Sequence, residues 1–319
     1  MDHVGTTSND NAKFIEYDEI SNTWNILSHS AGWSASDTSH GYAHQTVDSV
    51  NRYYYCRHNW TSTNVRRYHI DNKTWSTISN AEYTYGGSGP LKYMPGLGLV
   101  WVQGAGTGDD NNGEIYLWNG SAWSTYKTPV VMGMFDCWAV YSPPTGLLLF
   151  GGGSLGTQSL GKRMWKMATT GDPIQCTDAP VDMDISDPGN TLAIMVAHPT
   201  LPCVYFWTDD GATRRYNISA HLDRSADTWD LVDAAGGGRF TPVQNGGASG
   251  AVWEVVGELC STYNVACFAK YNGASSNFYV FKPEAAEGEE EPPTGTLLNE
   301  SSWLGTMQAQ TNPLRIGRW

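Results

Sequence analysis

Apolar residues in this chain occur in short runs that are separated by polar, glycine-rich stretches. In one stretch, an apolar run at 97–103 is followed by a polar loop, a second run at 114–118 and a third at 122–127. Asn119 and Gly120 lie before the third run and suit a tight hairpin, because both residue types tolerate positive φ. No window has a sustained 3.6-residue apolar period. The pattern therefore predicts an all-β protein of short strands.

A tyrosine followed seven residues later by a tryptophan recurs along the chain. The three clear pairs are Tyr17 with Trp24, Tyr68 with Trp75, and Tyr116 with Trp123. Weaker marks of the same repeat follow at Trp165, at Tyr216 with Trp229, and at Tyr279. A period of about 50 residues predicts stacked supersecondary units, each of which buries its apolar face against its neighbours.

The order of apolar run, glycine-rich turn, tyrosine and tryptophan at this period resembles the kelch-repeat β-propellers. The resemblance covers residues 12–283, and the double glycine typical of kelch blades is clear at Gly151–Gly152. It implies four-stranded blades around a channel, with the tyrosine on the third strand and the tryptophan on the fourth. We expect six blades in preference to five. In the five-blade alternative the two chain ends share one blade.

The repeats divide the chain into a propeller at 1–283, an acidic linker at 284–293 and a C-terminal segment at 294–319. Too few residues precede Tyr17 for an inner strand, so the first unit has an uncovered sheet edge. We expect Thr294–Trp303 to fill that gap as a closing strand. The alternative is an arm that docks on another subunit. Candidate contact residues of such an arm are Arg315, Arg318 and Trp319.

The charge of the chain narrows the range of partners. The 319 residues carry a formal net charge of −13, with 19 Lys and Arg against 32 Asp and Glu. This balance disfavours nucleic acid and anionic membranes, which need a basic face. No apolar run is long enough for a membrane span. The richness in Gly, Asn, Ser, Thr, Trp and Tyr is similar to that of bacteriophage and other viral structural proteins, such as tail, fibre or capsid-decoration components. We therefore expect a virion or extracellular location.

Motifs that resemble catalytic or metal sites have simpler structural explanations here. Ser154 lies in G-G-S-L-G, but no helical pattern follows it, as a nucleophile elbow requires. His40 and His44 on one strand would be ~13 Å apart, too far for one metal ion. The acidic stretch 182–187 lacks the glycine and glutamate of a calcium loop. The six cysteines have no compact spacing and are expected to be buried free thiols. We expect no catalytic residue, no metal and no cofactor.

Aromatic residues are more numerous than the repeat requires. They cluster as Y-Y-Y at 53–55 and as Y-T-Y at 83–85, and alternate side chains of a strand point to opposite faces. Candidate binding residues for a sugar or a protein are therefore Tyr53, Tyr55, Tyr83 and Tyr85. The sequence favours a non-catalytic module for protein or glycan recognition, as a subunit of a larger assembly such as a virion. The alternatives are an extracellular carbohydrate-active propeller enzyme, either oxidase or glycosidase, and a cellular kelch adaptor.

Overall fold

The computed structural model describes most of the repeat region as antiparallel β-sheet. The residues that it describes are 14–18, 20–27, 45–57, 64–78, 89–103, 113–133, 135–155, 158–181, 193–208, 212–219, 227–233, 255–260, 265–272, 275–281 and 316–317. Within these ranges, 23 strands form six sheets, numbered here in chain order, and no residue is helical. No membrane-spanning helix is therefore present in the described part of the chain.

The first three sheets follow one another in chain order. Sheet 1 contains two strands, β1 (Phe14–Asp18) and β2 (Thr23–Leu27). Sheet 2 contains β3 (Gln45–Asp48), β4 (Tyr53–Arg57), β5 (Val65–His69) and β6 (Thr74–Ile78). Sheet 3 contains β7 (Leu91–Met94), β8 (Gly98–Gln103), β9 (Gly113–Trp118) and β10 (Trp123–Val130). Every pairing in these three sheets is antiparallel.

The last three sheets contain the remaining strands. Sheet 4 contains β11 (Phe135–Ser142), β12 (Leu147–Leu155), β13 (Gln158–Ser159), β14 (Met164–Met167) and β15 (Ile174–Gln175), with β13 paired only to the end of β12. Sheet 5 contains β16 (Ala193–Ala197), β17 (Cys203–Thr208), β18 (Thr213–Asn217) and β19 (Thr228–Asp233). Sheet 6 contains β20 (Val255–Cys260), β21 (Val265–Asn272), β22 (Ser275–Phe281) and β23 (Ile316–Gly317). Its fourth strand thus comes from the end of the chain and runs parallel to β22.

The first strands of sheets 2 to 6 contact one another in succession, β3 with β7, β7 with β11, β11 with β16 and β16 with β20. Buried apolar clusters fill the spaces between neighbouring sheets, as Trp138, Val204 and Tyr216 do between sheets 4 and 5. Sheets that pack face to face and place their first strands side by side form a β-propeller. This confirms the predicted fold class, and the six sheets correspond to the six repeat units. The narrower kelch assignment stays a prediction.

The tyrosine and tryptophan of the repeat are cross-strand neighbours. Directly opposite residues are Tyr17 and Trp24, Tyr68 and Trp75, and Tyr216 and Trp229. The ring centroids are 5.0 Å apart in the sheet 2 pair and 4.9 Å apart in the sheet 5 pair. Trp229 follows Tyr216 by thirteen residues instead of seven, so the longer connection leaves this contact in place. In sheet 3 the register differs, because Trp123 lies opposite Trp118. The tryptophans of the three clear pairs, Trp24, Trp75 and Trp123, are half-buried.

Strand direction decides which connections share an end of the propeller. Turns between the first and second strands, and between the third and fourth, lie at one end, which we call the upper rim. Several of these turns are short, as at 49–52, 70–73 and 143–146. The opposite end, the lower rim, carries the connections between sheets, and several of these are long. The longest join the strand ends across 28–44, 176–192 and 234–254.

Side-chain acceptors hold the short turns of the upper rim. Asp48 Oδ1 accepts hydrogen bonds from the backbone N–H groups of Val50 and Asn51, at 3.0 and 2.9 Å. His198 Nδ1 does the same two and three residues later in sheet 5, at 3.1 and 2.9 Å. Arg52 ends its turn with a φ of 60°, in the left-handed region. Polar residues at the ends of first strands therefore define where the chain reverses.

Candidate functional site

The aromatic run at the start of β4 divides between the two faces of sheet 2. Tyr53 and Tyr55 face sheet 3, whereas Tyr54 faces sheet 1, where it packs with Phe14. Tyr55 is buried, with 5% of its surface exposed, and Tyr53 is half-buried. Both faces of a blade lie against other blades, so strand alternation alone does not expose a side chain. Of the two predicted binding tyrosines on this strand, Tyr53 is the one that solvent reaches.

The ring of Tyr53 is in contact with a guanidinium group and two other rings. The Arg67 guanidinium carbon lies 4.6 Å from the ring centroid, a cation–π geometry. The His69 ring makes an edge contact at 4.8 Å, and the Tyr55 ring lies 5.9 Å away. Both basic residues are on β5, the neighbouring strand, where His69 is the direct partner of Tyr53. Part of the π surface of Tyr53 is therefore already in use.

A polar network continues below Tyr53 between sheets 2 and 3. Arg67 hydrogen-bonds to the Tyr55 hydroxyl and also donates from Nε to Ser76 Oγ at 3.2 Å. The Tyr93 hydroxyl on β7 donates to the buried carboxylate of Asp48. Burial, assisted by the negative charge of Asp48, raises the pKa of Tyr55 to about 12. Tyr55 is therefore a neutral hydrogen-bonding group that supports Arg67 from below.

Sheet 5 contains the same arrangement of side chains. Arg215 lies opposite Tyr205, as Arg67 lies opposite Tyr55, and it hydrogen-bonds to that tyrosine. Its guanidinium also forms an ion pair with Asp230 on β19, at 2.9 Å. Hydrogen bonds from Asn217 and Arg215 hold the pKa of Asp230 below its usual value. Arg215 and Asp230 belong to the same sheet, because they lie opposite each other on adjacent strands.

An apolar side chain is exposed at the upper end of sheet 2. Val50, in the turn after β3, is 69% exposed. Tyr53 begins β4 directly after this turn, with Arg67 and His69 beside it. We call these four residues the upper-rim patch. An exposed valine next to an aromatic ring and two basic side chains has the composition of a recognition surface more than of a packed core.

A buried ion pair joins sheets 4 and 5. Lys166 Nζ lies 2.6 Å from Asp227 Oδ2, and neither side chain has any exposed surface. The Tyr216 hydroxyl donates to the same carboxylate oxygen at 2.6 Å, and the Ser219 N–H donates to the other at 2.6 Å. Cys176 hydrogen-bonds with Tyr216, and burial raises the pKa of its thiol to about 12. A fully enclosed group of this kind holds two blades together and has no access to a substrate.

The sequence did not indicate this ion pair. Lys166 lies in the apolar run M-W-K-M on β14, and Asp227 precedes β19, 61 residues later. The available signal was a lysine inside an apolar strand, since a buried lysine requires a charged or hydrogen-bonding partner. The identity of that partner depends on the packing of sheet 4 against sheet 5. Only the three-dimensional arrangement supplies it.

The structure describes some of the motifs that resemble catalytic or metal sites. Ser154 lies in β12, opposite Phe135 and Ser159, so a strand stands where an elbow would place a helix. Five cysteines are free thiols, and four of them are buried: Cys56, Cys137, Cys176 and Cys203. Among the described residues, no three His, Cys, Asp or Glu side chains are grouped closely enough to hold a metal ion. His40, His44 and the acidic stretch 182–187 lie outside the described residues.

The remaining predicted contact residues also lie outside the described residues: Tyr83, Tyr85, Arg315, Arg318 and Trp319. In the sequence, Tyr83 and Tyr85 lie between β6 and β7, whereas Tyr53 is the first residue of β4. Arg315 and Arg318 flank β23 in the sequence.

Comparison with solved structures relates the chain to other proteins by fold. It is similar to the calcium-binding protein regucalcin from Agrobacterium tumefaciens, with 9% identity, a TM-score of 0.47 and coverage of 74% of this chain and 69% of that one. It is also similar to a fungal alcohol oxidase of the AA5 family in complex with copper (13% identity, TM-score 0.49, coverage 89% and 61%). A third similar structure is a prolyl endopeptidase (13% identity, TM-score 0.43, coverage 89% and 42%).

The chain thus spans less than two thirds of the length of the oxidase and of the peptidase. No protein-family model matches the chain, and no curated protein matches it. At 9–13% identity and TM-scores of 0.43–0.49, these similarities carry no argument about the function of this chain. Its own sheets form a β-propeller, and its function has to be argued from its own residues.

Proposed function

We propose that this chain is a non-catalytic recognition module that binds a protein partner through the upper-rim patch, as a subunit of a larger assembly. The observation that carries the proposal is the exposure of Val50, at 69%, in the turn directly before Tyr53. Tyrosine and arginine are enriched in protein interfaces, and contact with a partner would remove the valine from water.

The surroundings of Tyr53 favour a protein over a glycan. Sugars stack on the open face of an aromatic ring, but Arg67 already lies over the Tyr53 ring at 4.6 Å and His69 contacts it at 4.8 Å. The cationic Arg67 guanidinium suits a protein surface that presents a carboxylate next to an apolar residue. We place the assembly in a virion or outside the cell. This placement rests on composition.

The chain offers a matched control for the test. Ile26 on β2 is 69% exposed, the same fraction as Val50, but it belongs to the outer strand of sheet 1. A photo-crosslinking amino acid would be placed at position 50 or at position 26, and the protein would be irradiated in the particles or cells that produce it. We expect a discrete crosslinked product with another polypeptide from position 50 and none from position 26.

A second comparison separates the competing functions. Val50→Asp should abolish co-purification with the crosslinked partner, whereas Ile26→Asp should not, since only the first places a charge in the contact. Binding to an oligosaccharide panel that Tyr53→Ala removes would replace the protein partner by a glycan. Turnover in oxidase and glycosidase assays by the wild-type protein would favour the enzyme alternative. Equal crosslinking from both positions would also overturn the proposal.

A further inference from the structure

Among the described residues, sheet 1 consists of the outer half of a blade. Tyr17 on β1 lies opposite Trp24 on β2, as Tyr68 on β5 lies opposite Trp75 on β6. Since β5 and β6 are the third and fourth strands of sheet 2, β1 and β2 occupy the same positions in sheet 1. Among the described residues, β1 pairs with β2 alone. The inner edge of β1 is therefore where the second strand of a complete blade would pair.

The side of sheet 2 that faces sheet 1 reflects this half-blade. Its outer part is covered, because Phe14 packs on Tyr68 and Trp75 at centroid distances of 4.9 and 5.1 Å. Its inner part is more open. Val47 on β3 lies opposite Tyr54, so it faces sheet 1, and it is 43% exposed. The corresponding residue of sheet 5, Ala197 on β16, is 2% exposed against the complete sheet 4.

The fourth strand of sheet 6 runs in an unusual direction for this propeller. In sheet 6 the fourth strand, β23, runs parallel to the third, β22, with Phe278 opposite Ile316 and Tyr279 opposite Gly317. In sheets 2, 3 and 5 the fourth strand is antiparallel and follows a turn. To pair in parallel with β22, the chain must return from the end of β22 to the rim at which β22 began. The connection from β22 to β23 therefore begins at the upper rim and ends at the lower rim.

The direction of this crossing suits the edge of β1. Both β22 and β1 are third strands, so they run the same way between the two rims. A chain that returns from the end of β22 to the start of β23 runs the opposite way. It would be antiparallel to β1, which is the relation of β4 to β5 and of β8 to β9. The 282–315 segment is long enough to reach the next blade and return, since extended chain spans ~3.3 Å per residue.

We propose that residues 294–303 form this crossing strand and add to the inner edge of β1, covering Val47. This stretch follows the acidic, proline-containing residues 284–293 and contains Leu297, Leu298 and Trp303. Pairing with β1 satisfies the backbone groups of an open sheet edge, and the apolar side chains cover the face of β3. The inference rests on strand order and exposure, and it is independent of the proposed function.

The test is hydrogen exchange measured by mass spectrometry on the full chain. We would compare wild type with Leu297→Asp/Leu298→Asp, and with Leu304→Asp/Met307→Asp as a matched control just beyond the proposed strand. The first pair should raise amide exchange in 14–18 and 45–48 by about tenfold or more, because an open edge loses its hydrogen bonds. The control pair should leave both peptides unchanged. Peptides from 193–208 report whether sheet 5, and hence the fold, is intact.

Each outcome bears on the proposal. Faster exchange in 14–18 only for the Leu297/Leu298 variant, with 193–208 unchanged, supports it. Unchanged exchange in 14–18, or an equal rise in both variants, overturns it. Protection of 14–18 that disappears when wild-type protein is diluted to a monomer would assign the strand to a second copy of the chain and overturn the intramolecular assignment. A Val47→Cys thiol that a maleimide labels at the same rate in all backgrounds would contradict the covering of β3.

Discussion

The ion pair between Lys166 and Asp227 should be the most sensitive polar contact of the described fold. Its charged atoms are 2.6 Å apart, and neither side chain is exposed. In Lys166→Met, Asp227 would keep its hydrogen bonds from Tyr216 and Ser219 but lose its counter-charge. Removing one partner of a buried pair costs about 3–5 kcal/mol, because the other charge remains buried without compensation. We expect the free energy of unfolding to fall by that amount.

Urea unfolding followed by tryptophan fluorescence measures this change. The double variant Lys166→Met/Asp227→Asn should be more stable than the single variant, because no isolated charge remains between the sheets. The control is Arg52→Met. It breaks the ion pair with Asp71, whose side chains are 55% and 53% exposed, and it should leave the urea midpoint almost unchanged. If Lys166→Met unfolds at the wild-type midpoint, the two sheets do not meet through this pair.

Two further predictions follow from backbone geometry and from burial. Gly151→Ala should cost ~3 kcal/mol or more in thermal or urea unfolding, because a Cβ there would lie 2.2 Å from the Arg163 carbonyl oxygen. Gly146 has a φ of +67°, and a Cβ added there would have no atom within 4 Å, so Gly146→Ala should cost only about 1 kcal/mol. Equal losses of stability in the two variants would contradict the strand packing around Gly151. The pKa of Tyr55 is raised from 10.0 to about 12, so its contribution to stability is present below pH 10 and is lost as the pH rises towards 12. Between pH 10 and 12, the free energy of unfolding should fall less steeply with pH in Tyr55→Phe than in the wild type. Identical slopes would argue against the burial of this hydroxyl.

The local pattern of residues predicts much of the fold of this protein. Apolar runs between turn residues locate strands such as β8 and β12, because a short strand needs little more than its own residues and a turn at each end. The tyrosine and tryptophan repeat predicts the third and fourth strands, on which these residues lie in sheets 2, 3 and 5. The six units and the propeller class follow from the period of that repeat.

The site depended on contacts that local pattern does not encode. Tyr53 and Tyr55 are the same residue type on the same face of β4. Only Tyr53 reaches solvent, because it lies at the upper rim, whereas Tyr55 lies deeper between sheets 2 and 3. The partner of Lys166 lies 61 residues away in the next blade. The fourth strand of sheet 6 is two residues at the end of the chain, too short to have a pattern of its own.

The sequence by itself thus determined the strands, their turns and their grouping into units, since these depend on the alternation and spacing of neighbouring residues. The tertiary structure decided which charges meet, which tyrosine is exposed and which edge of sheet 1 lacks a described partner strand. The physical reason is that a propeller buries both faces of every blade against other blades. The environment of a side chain is therefore set by residues of the neighbouring unit, about 50 positions away in the chain.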